Sequence, residues 1–143
     1  MPKTKLRMKV SEVMNKRPVI TTKDELLPKA ARKMLSNNVG CLIVKEKDNL
    51  LGIVTEKDIV EGAVGKELNI KKTKVKDVMT TLMVTVSPDA NLSEAIKKME
   101  REDVRRLPVI KGKKLVGLLT IKDILRLEPR LLECFESTLI KKK

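Results

Sequence analysis

At 143 residues the chain has the length of one ordinary domain, and it is 41% apolar, 36% charged and only 1% aromatic. A formal charge of +13, with 32 Lys and Arg, 19 Asp and Glu and no His, excludes imidazole chemistry. It leaves two uses for the excess: a solvated Lys and Glu surface of the thermophile kind, or an anionic partner such as nucleotide, RNA or DNA. With no Trp or Tyr and a single Phe the interior must be aliphatic, and single-stranded bases have no aromatic platform to stack on.

No apolar run approaches the roughly 18 residues of a membrane span. No signal peptide is expected in this Lys-rich chain, and its two cysteines argue for a reducing compartment rather than a disulfide framework. The expectation is a cytoplasmic protein without a membrane partner, with Cys41 as a buried thiol. No nucleophile stands beside a base and no ligand set has metal spacing, so neither catalytic residues nor a metal are expected, and the chain does not read as an enzyme.

In chain order, residues 1–8 form a basic tail and residues 9–63 a first motif. Pro18 to Thr21 reads as a strand, and Leu27, Ala30, Ala31, Met34 and Leu35 follow the spacing of one helical face, with Pro28 in the first turn. Cys41 to Val44 reads as a buried strand, Lys45 to Asn49 as a polar turn, Leu50 to Val54 as the paired strand and Lys57 to Ala63 as a second helix. Residues 64–73 are a linker. Residues 74–127 then repeat the order, with Val84 to Val86, a helix facing inward through Leu92, Ala95, Ile96 and Met99, Leu107 to Ile110, a turn at Lys111 to Lys113, Leu115 to Leu119, and Lys122 to Leu127. Asn91 and Glu94 resemble a helix cap. Beyond the repeat, residues 129–140 place Leu131, Leu132, Phe135 and Leu139 near one helical stripe, which predicts a C-terminal helix packed back on the body or used as a contact.

The repeat is ungapped. An offset of 65 positions lays Val13 and Met14 on Val78 and Met79, and Gly52 to Ile59 on Gly117 to Ile124. Each half is of a size at which a core is marginal alone, so the halves are expected to share one. The fold class is α+β (mixed α/β), built from tandem β-α-β-β-α motifs.

The best-matched stretch is Gly-x-x-Thr-x-x-Asp at a strand-to-helix junction. One reading is structural: Thr55 and Thr120 are N-caps, and Asp58 and Asp123 three residues on complete capping boxes. The other is a nucleoside phosphate site. A helix start with a hydroxyl and a nearby Lys57 or Lys122 suits phosphate, and a carboxylate suits the two hydroxyls of a ribose, each such bond contributing about 1.5–3 kcal/mol.

These motifs, together with Val13-Met14, Asn38-Val39-Gly40-Cys41-Leu42-Ile43-Val44 and Arg105-Arg106-Leu107-Pro108-Val109-Ile110, resemble the cystathionine beta-synthase (CBS) domain, and Lys9 to about Leu127 resembles a CBS pair, or Bateman module. The resemblance implies two motifs packed sheet to sheet about a pseudo-twofold axis, with clefts that in relatives bind AMP, ATP or S-adenosylmethionine, and assembly as a homodimer. By position it implies Asp58 and Asp123 as ribose ligands. Thr55, Thr120, Lys57, Lys122, Arg105 and Arg106 would lie at phosphate, and Ile20, Thr21, Thr85, Val86 and Pro108 at the base. Gly40 and Cys41 stand where the second half has Arg105 and Arg106, so the two sites are expected to be unequal. No cofactor is required. The implied role is an adenine-nucleotide sensor acting on a separate effector protein; the alternatives are a nucleic-acid-binding protein using its basic surface and a ligand-free oligomerisation scaffold.

Overall fold

The computed structural model describes residues 3–133. In chain order the elements are α1 (Lys3–Leu6), α2 (Val10–Val13), β1 (Ile20–Thr21), α3 (Leu27–Asn37), β2 (Cys41–Glu46), β3 (Asn49–Thr55), α4 (Glu56–Ile59), α5 (Leu92–Glu102), β4 (Arg106–Lys111), β5 (Lys114–Thr120) and α6 (Ile121–Leu127). They form two compact units that do not coincide with the two repeats. One is continuous, Pro18–Met83. The other is split, joining the residues up to Arg17 to those from Val84 onward.

In the continuous unit β1 runs parallel to β2, with Ile20 opposite Ile43, and β2 pairs antiparallel with β3 through a turn at residues 47–48. Helix α3 buries Leu27, Ala30 and Met34 against Leu42, Val44, Val54, Ala63 and Val75. Leu35 departs from the expected stripe and is 81% exposed, because the buried arc is narrower than the apolar one. Helix α3 ends where Asn38 turns left-handed at φ 53°, a conformation Asn adopts readily. The predicted helix from Lys57 to Ala63 begins one residue earlier as α4 and loosens into a wider π turn over Val60–Val64. Cys41, expected to be buried, is half-buried at the start of β2.

The split unit repeats this plan. Helix α5 buries Leu92, Ala95, Ile96 and Met99 as expected, Asn91 caps it by accepting the Glu94 N–H at 3.0 Å, and β4 pairs antiparallel with β5. The strand expected at Val84 to Val86 is reduced to one parallel bridge between Val86 and Val109. The predicted helix over 129–140 starts as a short 3-10 turn at Pro129–Leu131, and its remainder beyond residue 133 lies outside the described residues.

The segment that opens each repeat belongs to the other repeat's unit. Asn15 and Leu118 exchange backbone hydrogen bonds of 2.9 and 3.0 Å, and Thr80 and Ile53 do the same at 2.9 and 3.0 Å. These two pairs are equivalent under the 65-residue offset. The glycine of each Gly-x-x-Thr-x-x-Asp motif makes room for the crossing segment: a Cβ on Gly52 would lie 2.7 Å from the Thr80 carbonyl oxygen, and one on Gly117 would lie 2.9 Å from that of Asn15.

The two ends of the split unit meet at Glu128, which is 3% exposed. Arg130 grips its carboxylate with Nε and Nη2 at 2.8 and 3.0 Å, while Lys5 lies 3.7 Å away and donates to the Leu127 carbonyl at 2.8 Å. The Arg130 hydrogen bonds, helped by its charge and by Lys5, hold the Glu128 carboxyl down at about 2 against an ordinary 4.5. A folded-state value below the unfolded one stabilises the fold fully above pH 4.5, and the contribution is lost as pH falls towards 2. Acid titration of Glu128→Gln is therefore expected to give a flatter stability profile than wild type across that window, read by circular dichroism in urea.

Among the described residues no helix is long and apolar enough to cross a membrane.

Candidate functional site

Both strand-to-helix corners are capping boxes. The Thr55 N–H donates to Asp58 Oδ2 at 2.9 Å, and the Asp58 N–H donates to Thr55 Oγ1 at 3.1 Å. In the split unit the corresponding distances at Thr120 and Asp123 are 2.9 and 3.3 Å, and the Thr120 hydroxyl also donates to Asp123 Oδ2 at 3.0 Å. The local fold thus accounts for both hydroxyls and for one oxygen of each carboxylate.

The second oxygen distinguishes the corners. Asp58 Oδ1 accepts the Thr80 hydroxyl at 3.2 Å, a donor supplied by the crossing segment. Asp123 Oδ1 faces Arg126 Nη1 at 3.8 Å, beyond hydrogen-bonding distance, on a side chain that is 17% exposed. Each carboxylate accepts two hydrogen bonds, but Asp123 takes both on Oδ2 and so keeps one oxygen without any. Neither Thr80 nor Arg126 figured among the sequence candidates. Arg126 stands three residues along the helix from Asp123 and was legible as a neighbour, whereas Thr80 lies 22 residues from Asp58 and carries no local signal.

The basic residues divide the same way. Arg106 sits opposite Thr120 in the β4–β5 ladder, and the Arg105 carbonyl accepts the Ile121 N–H at 2.9 Å, so both arginines belong to the Asp123 corner. Neither has an ion-pair partner among the described residues. At the other corner Cys41 pairs with Thr55, and a Cβ on Gly40 would lie 2.8 Å from Glu56 Oε1. That corner thus presents a carboxylate where the split unit has Ile121. Lys57 and Lys122 are exposed, and Lys57 lies 3.8 Å from Glu61.

Of the residues expected at a base, Ile20 and Thr85 are partly exposed. Thr21 is buried and its hydroxyl donates to Glu25 Oε1 at 3.0 Å. Val86 is buried in the split unit's core, and its N–H donates to the carbonyl of Pro108, itself buried, at 3.0 Å. The structure therefore gathers Arg105, Arg106, Thr120 and Asp123 at one corner and holds Thr21, Val86 and Pro108 within strand packing. Among the described residues no group of three or more Cys, Asp or Glu side chains could hold a metal.

The family model of the CBS domain matches residues 10–65 and again 75–130. An uncharacterized protein of Methanopyrus kandleri is 34% identical over 134 residues, covering 92% of this chain and 68% of its own length. Among solved structures, Hypoxic Response Protein I, with two coordinated zinc ions, matches with a TM-score of 0.75 at 29% identity over 83% of this chain and 98% of its own. A hexameric CBS-CP12 protein from bloom-forming cyanobacteria matches with a TM-score of 0.74 at 28% identity over 84% and 67%. The repeated capping box, its glycine and the twofold family match fall on the same two stretches of sequence, and the chain belongs to the CBS domain family, carrying two CBS domains in tandem.

Proposed function

We propose that this CBS pair is a regulatory module that binds an adenine nucleotide, AMP or ATP, and acts on a separate partner protein. The observation that carries the reading is the Asp123 corner, where one carboxylate oxygen is left outside the cap and the backbone of β4 brings in two arginines that have no ion-pair partner among the described residues. A ribose can donate both hydroxyls to that carboxylate, and the arginines suit a phosphate chain. The Asp58 corner has Thr80 on its carboxylate and Glu56 beside Gly40, which favours a ligand with fewer phosphates or none. The hexameric relative supports assembly with further copies, and S-adenosylmethionine is the ligand to compare.

Calorimetric titration with ATP, AMP and S-adenosylmethionine tests this. Asp123→Asn keeps an acceptor for the cap but removes the charge, and is expected to weaken ATP binding at least about tenfold, or roughly 1.4 kcal/mol. Arg105→Ala with Arg106→Ala should weaken ATP more than AMP. Absence of binding, or indifference to both variants, would leave the boxes as helix caps whose removal costs about 0.5–2 kcal/mol of stability.

A further inference from the structure

The split unit contains a half-open pocket of about 360 Å³ away from the capping box, between the side of α5 and the loop that leads into it, with Lys97, Arg101 and Glu94 exposed at its rim. Its wall includes Lys97, Lys98, Arg101, Glu94, Ala90 and Val86. Three cations against one carboxylate make it strongly positive. Among the described residues none of the four takes part in a salt bridge.

The other repeat shows what such a place accommodates. Under the 65-residue offset Lys98 corresponds to Lys33, Ala90 to Glu25 and Val86 to Thr21. The frame is the same: Lys98 Nζ donates to the Thr85 carbonyl at 2.6 Å, and Lys33 Nζ donates to the equivalent Ile20 carbonyl at 3.3 Å. Both loops also end in equivalent bridges, Leu26 with Lys74 and Asn91 with Lys9. In the continuous unit the Glu25 carboxylate fills the space, with one oxygen 3.0 Å from Lys33 Nζ and from the Thr21 hydroxyl, on a side chain only 10% exposed. The split unit keeps the lysine and the frame and has a methyl group where that carboxylate begins.

We infer that this pocket binds a small dicarboxylate, with one carboxylate on Lys98 where the other repeat places Glu25 and the second facing Lys97 and Arg101. The internal precedent is a carboxylate, which selects that group over phosphate. The pocket volume admits a molecule of several carbons, and a dianion matches the three cations less Glu94. The site uses none of Arg105, Arg106, Thr120 and Asp123, so it does not rest on the nucleotide reading. Of the residues expected at a base it shares only Val86.

The test is an amide-resolved NMR titration of the full chain with succinate, and separately with inorganic phosphate, at constant ionic strength. Succinate should give saturable shifts at residues 85–101, and none at the equivalent residues 20–36. Ala90→Glu supplies the missing carboxylate from within and should abolish the response, as should Lys98→Met. Asp123→Asn should leave it unchanged. Glu25→Ala should create a second response around Lys33. Shifts that grow without saturation over all lysine-rich surfaces, saturation by phosphate but not succinate, or an undiminished response in both Ala90→Glu and Lys98→Met would each overturn the proposal.

Discussion

Replacing Val10 by Asp is expected to unfold the second repeat's unit and spare the first's, although Val10 opens the first repeat in sequence. Val10 is 0% exposed in the core built by Leu92, Ala95, Met99, Leu107 and Leu119. Its segment is stitched there by Val10 N–H to the Ala90 carbonyl at 2.8 Å, Ser11 N–H to Pro88 at 3.1 Å and Leu92 N–H to Met8 at 2.9 Å. An unpaired carboxylate at that point costs several kcal/mol, a large share of the roughly 5–15 kcal/mol that holds a domain. Hydrogen exchange should therefore speed up in α5, β4 and β5 while β2 and β3 keep their protection. The equivalent Val75, also 0% exposed, lies in the other core, and Val75→Asp should give the mirror-image pattern. Loss of protection in β2 and β3 alone on Val10→Asp would contradict the assignment of this segment.

The second large effect is expected at Gly52→Ala. The added methyl would sit 2.7 Å from the Thr80 carbonyl oxygen and 3.1 Å from Met79 Sδ. The sulfur can swing away, but the carbonyl accepts the Ile53 N–H at 3.0 Å while the Thr80 N–H donates back at 2.9 Å. Relief thus requires parting the crossing segment from β3, and urea unfolding should show a loss of about 2–3 kcal/mol, at the upper end of overpacking penalties. Gly112→Ala is the comparison. Nothing lies within 4 Å of its Cβ, and only its φ of +63° opposes a side chain, at about 1 kcal/mol.

Much of this was legible in the sequence because it is local. The inward faces of α3 and α5, the hairpins β2–β3 and β4–β5, the Asn91 cap and both Thr–Asp boxes follow from spacing within a dozen residues. The exchange of leading segments was not legible. Matching Met14 to Met79 establishes equivalence, yet it does not say which repeat each methionine packs on, and the structure sets Met14 against Gly117 and Met79 against Gly52. The strand at Val84 to Val86 failed for a related reason: its alternation is real, but only Val86 finds a ladder partner. The motif glycine has its reason in the crossing backbone, which no local spacing announces. The difference between Glu25 and Ala90 stood in the aligned repeats from the start. Its meaning required knowing that Lys33 and Lys98 hold equivalent carbonyls.

The exchange of segments also fixes an order of manufacture. The continuous unit has every residue it needs once Met83 has left the ribosome, whereas residues up to Arg17, made before it, must wait for β4 and β5, made after it. Through that interval Val10 and Val13 travel on a nascent chain without the surface they cover. Protection from aggregation matters most while residues 84–133 are being translated, and the clasp of Lys5 on Leu127 and Glu128 cannot close until that stretch has emerged.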